Sequence, residues 1–199
     1  MKKETLDLAK KAFEIEARVL LETGEHMDWS SFEKAVELLS RAERIGASGC
    51  GHTGIACRHF AHSMCCIERP ARFISPAEAI HGATGFLQNG DVLVLASRGG
   101  KTAELMPIID IARKKGASII SVTENTESPM AKLSDVTLPI KVYSEVDRYN
   151  AQGTSSFAAV SAVFDALQAA VMEETGYLGE QFALIHPGGA VGERLNKKQ

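Results

Sequence analysis

Between residues 5 and 23 apolar side chains return every three or four positions, at Leu6, Ala9, Phe13, Ala17 and Leu20, and the pattern stops at Gly24. That spacing lays one stripe along a helix, and glycine is a common terminator, so an amphipathic helix is predicted over 5–23. A second helix follows it. Ser30-x-x-Glu33 has the form of a capping box, and Phe32, Val36 and Leu39 supply the apolar face. The chain therefore opens with a helical hairpin over residues 1–42.

From Ile45 the rhythm changes. Short apolar runs near 45–48, 71–74, 92–96, 118–122 and 136–140 alternate with helix-like stretches near 53–66, 102–115 and 154–175. Such alternation predicts βαβ units, hence an α/β fold with a parallel sheet covered on both faces. Ligands of these sheets bind beyond the carboxyl ends of the strands. No internal repeat, low-complexity tract or Pro/Gly/Ser linker breaks the pattern. The reading is one domain over 1–199, with the hairpin ahead of an α/β core and C-terminal segment spanning 43–199.

Composition narrows the function classes. A chain of 199 residues can bury one substantial core, and 45% apolar with 24% charged residues is the balance of a water-soluble globular protein. A net charge of −3 argues against nucleic acid or an anionic membrane as a bulk electrostatic partner. The N-terminal stretch MKKETLDLAKKAF is charged throughout, unlike a secretory signal, and no apolar run approaches membrane-spanning length. Of Cys50, Cys57, Cys65 and Cys66, three fall in one turn-plus-helix segment and two are adjacent. That is not a disulfide framework, and free thiols fit a reducing cytoplasm.

Two strand ends carry the chemistry. In LVLASRGGKTAEL, residues 93–105, a buried strand runs into Ser97-Arg98-Gly99-Gly100-Lys101-Thr102 and a helical pattern starts at once. Glycines let backbone approach a ligand, and the N–H groups of a following helix favour an anion. Ser97 and Thr102 offer hydroxyls; Arg98 and Lys101 offer positive charge. Gly-Lys-Thr superficially matches a nucleoside-triphosphate loop, but the glycine that loop needs five positions before Gly100 is Leu95 here. The competing reading is a solvated turn and helix cap. An earlier strand ends in Gly49-Cys50-Gly51-His52-Thr53-Gly54, the spacing of a dinucleotide-binding turn. Yet the second strand ends near Ser75-Pro76 with no carboxylate at its tip to hold a ribose, and Glu78 comes late. Two Gly-rich, hydroxyl-bearing loops suit one compact anion, such as a sugar phosphate, better than an extended dinucleotide.

Taken in order, SGCGHTG, SPAEAIHG, LASRGGKTAEL, GTSS and FALIHPGGAVGERL resemble the sugar isomerase (SIS) domain family, and are most similar to its arabinose-5-phosphate isomerase branch. The resemblance spans about residues 10 to 196. It implies a three-layer α-β-α sandwich with a five-stranded parallel sheet and an N-terminal helical hairpin. It further implies interconversion of aldose and ketose phosphates through an enediol, in the cytoplasm and without a cofactor. A homodimer or homotetramer with sites at subunit interfaces is implied as well, with a sugar phosphate as the small-molecule partner and neither nucleic acid nor membrane. Full-length members usually continue into a pair of CBS modules. This chain stops at Gln199, so a free-standing SIS domain is expected. SIS domains also serve as phosphosugar sensors, which is the alternative to an isomerase.

The resemblance also assigns residues. Gly51 and Thr53 in the first loop, Ser97, Arg98, Gly99, Gly100 and Thr102 in the second, and His81 in AEAIHG fall among the substrate-binding positions. The family usually has serine where this chain has Gly99; Arg98 is expected to compensate by gripping phosphate through two hydrogen bonds. His52 stands where the family commonly has lysine, and Lys101 where it has glutamate; both are counted with the catalytic set. Glu145, nine residues before Thr154, takes the place of the proton-shuttling carboxylate, whose partial burial should raise its pKa toward neutrality. His186, before Pro187-Gly188-Gly189, takes the place of the histidine linked to ring opening. No metal is expected. His59, His62 and Cys66 share one helix face, and a related branch acting on heptulose phosphate uses zinc, but no Cys-x-x-Cys or His-x-x-x-His pair backs them.

Overall fold

The computed structural model describes residues 2–196. Helices α1 (Lys3–Glu25) and α2 (Trp29–Arg41) form the opening pair. The stripe of α1 that faces inward differs from the predicted one: Ile15, Val19 and Thr23 are buried, whereas Leu6, Phe13 and Leu20 are exposed. This helix has apolar residues on two sides, and packing against a later core helix selects the Ile15–Val19 side. Nor does Gly24 end it; α1 runs on to Glu25 and is closed by the His26 N–H, which donates to the Glu22 and Gly24 carbonyls. The cap of α2 is Asp28 rather than Ser30. Its carboxylate accepts the N–H groups of Ser30 and Ser31 and the Ser31 hydroxyl, bonds that hold the Asp28 carboxyl below its ordinary range. A carboxylate at that position also meets the positive end of the helix dipole.

Five strands follow, β1 (Ile45–Gly49), β2 (Ala71–Phe73), β3 (Val92–Ala96), β4 (Ser118–Thr123) and β5 (Val136–Pro139), all parallel in the order β2-β1-β3-β4-β5. Both β1 and β3 are buried along their whole length, which is why their sequences read as continuous runs rather than alternating ones. Along β3 the pleat sends Val92, Val94 and Ala96 into one apolar layer and Leu93 and Leu95 into the other. Gly49 pairs with Ala96, and Ala96 with Val122, so β1, β3 and β4 end level and their loops open on the same edge. The strand order reverses between β1 and β3, the switch point where α/β sheets open a crevice.

The remaining helices are α3 (Gly51–Cys65), α4 (Pro76–Ala79), α5 (Met106–Lys114), α6 (Pro129–Lys132), α7 (Ser155–Glu174), α8 (Gly179–Ile185) and α9 (Gly189–Asn196). The helix predicted from 102 begins as a 3-10 turn, Ala103–Leu105, and becomes α-helical at Met106, beside Pro107. Helix α7 corrects the expectation that no apolar run reaches membrane-spanning length, since by length and composition its 20 residues could cross a membrane. Its Val160, Val163, Phe164, Leu167 and Val171 are instead buried in the first apolar layer, with Phe164 stacked 4.5 Å from Phe60 of α3. The helix is apolar because it is packed from several sides. The four cysteines are free thiols; Cys57 is fully buried, donates to the Ser48 carbonyl, and burial pushes its thiol well above the usual range.

Candidate functional site

The first loop is shaped by close packing. Gly51 takes φ +54 to turn the chain from β1 into α3, and a Cβ on Gly54 would stand 2.5 Å from the Gly49 carbonyl oxygen. The start of α3 thus sits directly on the tip of β1. Thr53 donates its hydroxyl to the Cys50 carbonyl at 2.8 Å. Beside this loop lies a cleft of about 460 Å³ whose wall includes Cys50, Gly51, Arg58, Ser75 and Glu104, a volume suited to a small ligand. The Arg58 guanidinium stacks 3.9 Å from the centre of the Phe73 ring on the same side.

The second loop is held by its own hydrogen bonds. Buried Ser97 places its Oγ 2.8 Å from Thr102 Oγ1 and accepts the Gly100 N–H at 3.1 Å. Gly100 has φ +62, and its backbone lies so close to Ser128 that an added Cβ would fall 2.0 Å from Ser128 Oγ. Gly99 is different: a Cβ there meets nothing within 4 Å. Lys101 projects into solvent.

Arg98 does not face outward to an anion, as the sequence predicts. Its Nε donates to Glu124 Oε2 at 2.9 Å, Nη1 to Glu145 Oε1 at 2.8 Å, and Nη2 to the Val142 carbonyl at 3.4 Å. The guanidinium is engaged by two carboxylates and a carbonyl, so its charge is already paired before any phosphate arrives.

Glu145 is 2% exposed, and both of its carboxylate oxygens accept hydrogen bonds. Its Oε2 accepts the Thr154 N–H at 2.8 Å, the Thr154 hydroxyl at 3.0 Å and the Ser156 N–H at 3.2 Å, all at the N-terminus of α7. Burial pushes this carboxyl upward, but the bonds from Ser156 and Thr154 and the Arg98 charge outweigh it and leave the pKa below the ordinary range. The expected rise toward neutrality is therefore reversed. Backbone N–H groups and the helix dipole stabilise the ionised form.

His52, exposed at the start of α3, lies against the loop that leads into α7: a Cβ on Gly153 would meet its Nδ1 at 3.0 Å, and its ring is edge-on to Phe157 at 6.5 Å. The structure thus gathers His52, the β3 loop and Glu145 at one edge of the sheet. Of the other two predicted histidines, His186 is held away from that edge. His81 is exposed just beyond α4. His186 stacks 3.9 Å over Phe182 and bonds that residue's carbonyl through Nδ1 at 3.0 Å. The approach to α8 is tied to the far end of α3, by the Tyr177 hydroxyl to the Cys66 carbonyl and by Gln181 to Glu68. Helix α3 is about 22 Å long at 1.5 Å per residue, so α8 begins at the opposite edge of the sheet from the two loops.

The trio suspected of metal binding separates into two pairs. His59 faces Asp165 of α7 at 3.0 Å, and His62 faces Cys66 at 3.6 Å. Among the described residues no group of three His, Cys, Asp or Glu side chains is placed to hold a metal. Sequence reasoning missed Glu124, Thr154 and Ser156 as partners of the site; the GTSS stretch opening a helix was a signal for Thr154 and Ser156, and Glu124 had none.

Known proteins resemble this chain in sequence and fold. The SIS domain family model matches residues 38–170. Arabinose 5-phosphate isomerase KdsD of Pseudomonas aeruginosa is 38% identical over 165 residues, covering 82% of this chain and 51% of that protein. The chain spans about half the length of the curated relatives it matches. A Listeria monocytogenes crystal structure, provisionally assigned as a sugar-phosphate isomerase, is 39% identical with a TM-score of 0.91, over 94% of this chain and 100% of that one. An Escherichia coli CFT073 protein, solved in complex with arabinose 5-phosphate, is 28% identical with a TM-score of 0.87 over the same shares. With more than half of its length matched by the family model, and with this sheet and these strand-tip loops, the chain belongs to the SIS domain family.

Proposed function

We propose that this chain interconverts an aldose phosphate and a ketose phosphate of the arabinose 5-phosphate/ribulose 5-phosphate type through an enediol. The observation that carries the reading is the convergence of two glycine-bearing loops at the β1/β3 switch point, with the ionised carboxylate of Glu145 directly behind them. The backbone of Gly51 to Thr53 and of Gly99 to Thr102 holds the phosphate, with the Thr53, Ser97 and Thr102 hydroxyls turning to it. Glu145 moves the proton between C1 and C2, Lys101 supplies positive charge for the enediolate, and His52 offers a ring nitrogen to the substrate. His186 reaches a site only across a subunit boundary, where it serves ring opening. Exposed Leu6 and Phe13 on α1 and Leu184 on α8 are the faces that pairing of copies covers.

The test is incubation of purified protein with a panel of pentose and hexose phosphates in deuterated buffer, followed by NMR. Aldose–ketose conversion with deuterium at C1 or C2 is expected for at least one of them. No conversion and no exchange across the panel overturns the reading. Sedimentation of the same preparation should give a dimer or larger species; an active monomer removes the shared site.

One observation favours a second reading, a phosphosugar sensor without turnover. Both Glu145 oxygens already have donors, and Lys101 occupies the position at which relatives commonly have an acid. A sensor is stabilised by about 2.7 kcal/mol at a ligand concentration of 100 Kd and converts nothing, so thermal shift beside the NMR assay separates the two.

Gly99 offers a sharper probe of phosphate binding, because the space beside it is open. Gly99→Ser should tighten binding of arabinose 5-phosphate about tenfold, the yield of one hydrogen bond to a charged group. Calorimetric titration measures it, and unchanged affinity would move the phosphate off this loop.

A further inference from the structure

We propose that Arg98 is a positioning residue: it fixes the orientation of the Glu145 carboxylate and leaves a single lone pair, on Oε1, open to a substrate. This rests on Glu145 as the carboxylate of the site. A carboxylate offers about four acceptor positions. Oε2 already has three donors, from Thr154 and Ser156, whereas Oε1 has one, Arg98 Nη1. A proton taken by Glu145 therefore lands on Oε1, beside a guanidinium.

Arg98 is itself fixed at both ends. Its carbonyl accepts the Glu124 N–H and the Thr123 hydroxyl, and its Nε donates to Glu124 Oε2, while Glu124 Oε1 accepts the Val142 N–H. One side chain thus joins the ends of β3 and β4 to the segment leading into α7. The charged groups at the Glu145 carboxylate are Arg98 from the β3 loop and, on the far side of its guanidinium, Glu124 from the tip of β4. On the loop of Glu145 itself lies Asp147, and the His52 ring of α3 packs against Gly153 and Phe157. Asp147 is occupied by the N–H groups of Tyr149, Ala151 and Gln152. Of these groups Arg98 alone touches Glu145, so it is the charge that acts, beside the hydrogen bonds from Ser156 and Thr154, on how readily Glu145 takes a proton. Without it, two carboxylates face each other with no cation between them, and protonation of Glu145 becomes easier. Lysine keeps the charge but lacks the fork that spans both acids.

The experiment is a carbon-13 NMR titration of glutamate side-chain carboxyls in ligand-free wild type, Arg98→Gln and Arg98→Lys, with the Glu145 signal assigned from its absence in Glu145→Gln. The Glu145 midpoint should rise by at least about one pH unit in Arg98→Gln, within the range for losing an adjacent opposite charge, and by less in Arg98→Lys. Should the glutamine variant not fold, the lysine variant carries the test in the same direction. Where turnover is measurable, the acid limb of the kcat/KM profile should move up with the midpoint, with kcat falling about 10- to 100-fold and KM staying within about threefold. An unmoved midpoint overturns the inference. So does a tenfold loss of affinity for inorganic phosphate with the midpoint unmoved, which would return Arg98 to phosphate binding. The titration needs no turnover, so it reads out in a sensor as well as in an isomerase. A chain that fails the isomerase assay but shifts its midpoint overturns only the proposed activity.

Discussion

Glu145→Gln should lower turnover about a thousandfold while leaving sugar-phosphate affinity within a few fold. General-base catalysis of this kind contributes about 10² to 10⁴, and the substitution removes the base without removing volume. The amide oxygen can still accept from Thr154 and Ser156, since those donors come from the backbone and hydroxyls at the start of α7. Its NH₂ group then faces Arg98 Nη1, and two donors oppose one another. Breaking a buried ion pair outright costs about 3–5 kcal/mol. Here Arg98 is 35% exposed and keeps Glu124, so a loss of about 1–2 kcal/mol is expected at neutral pH. The pH dependence has a definite sign. The folded-state pKa of Glu145 is depressed, so its contribution is present above the ordinary carboxylate range and declines as the pH falls through the folded value. The stability gap between wild type and variant should therefore narrow on acidification. Denaturant titrations at neutral and acid pH measure that gap, and deuterium exchange at C1 and C2 measures the chemistry. Full retained exchange in the variant removes Glu145 from the mechanism.

The strands are legible in the sequence because the sheet is covered on both faces. Val92 to Ala96 must be apolar at every position, and so must most of Ile119 to Val122, and these short runs, bounded by Gly-rich and polar turns, mark strands. The level ends of β1 and β3, and hence the adjacency of the two loops, follow from that parallel order. The buried side of α1 is not legible. Leu6, Phe13 and Leu20 make a better helical stripe than Ile15 and Val19, and only the neighbours of the helix decide between them. The site itself divides in the same way. Resemblance puts Glu145 in it and anticipates burial there, yet gives its protonation the wrong sign. Three of its four donors belong to Thr154 and Ser156, two of them main-chain N–H groups that carry no side-chain signature. The fourth, Arg98, lies 47 positions away, and nothing in SRGGKT says that its arginine turns inward. The same blindness applies to Glu124, which pairs with Arg98 across 26 positions.

Gly100→Ala should destabilise the protein by about 3 kcal/mol and abolish phosphosugar binding, while Gly99→Ala one residue earlier changes stability by less than about 0.5 kcal/mol. At Gly100 two costs coincide. A left-handed backbone costs an L-residue about 1–2 kcal/mol, and an extra methyl in a filled space costs about 1–3 kcal/mol. The space is filled: the new Cβ would lie 2.0 Å from Ser128 Oγ, 2.4 Å from Ser128 Cβ and 3.1 Å from Thr123 Oγ1. Ser128 cannot easily withdraw, being fully buried with its Oγ accepting the Ala131 N–H at the start of α6. Moving the loop instead breaks the Gly100 N–H bonds to Ser97 and the Met130 N–H bond to the Gly100 carbonyl. Displacing Thr123 loosens its hydroxyl bond to the Arg98 carbonyl, so the damage reaches the Glu145 network as well. Gly99 shares the loop but is exposed where Gly100 is buried, and has neither a left-handed φ nor a neighbour within 4 Å. Parallel denaturant titrations and phosphate-binding measurements on the two alanine variants measure the two costs together. Equal stability of the pair would show that neither the left-handed φ nor the Ser128 contact constrains the loop.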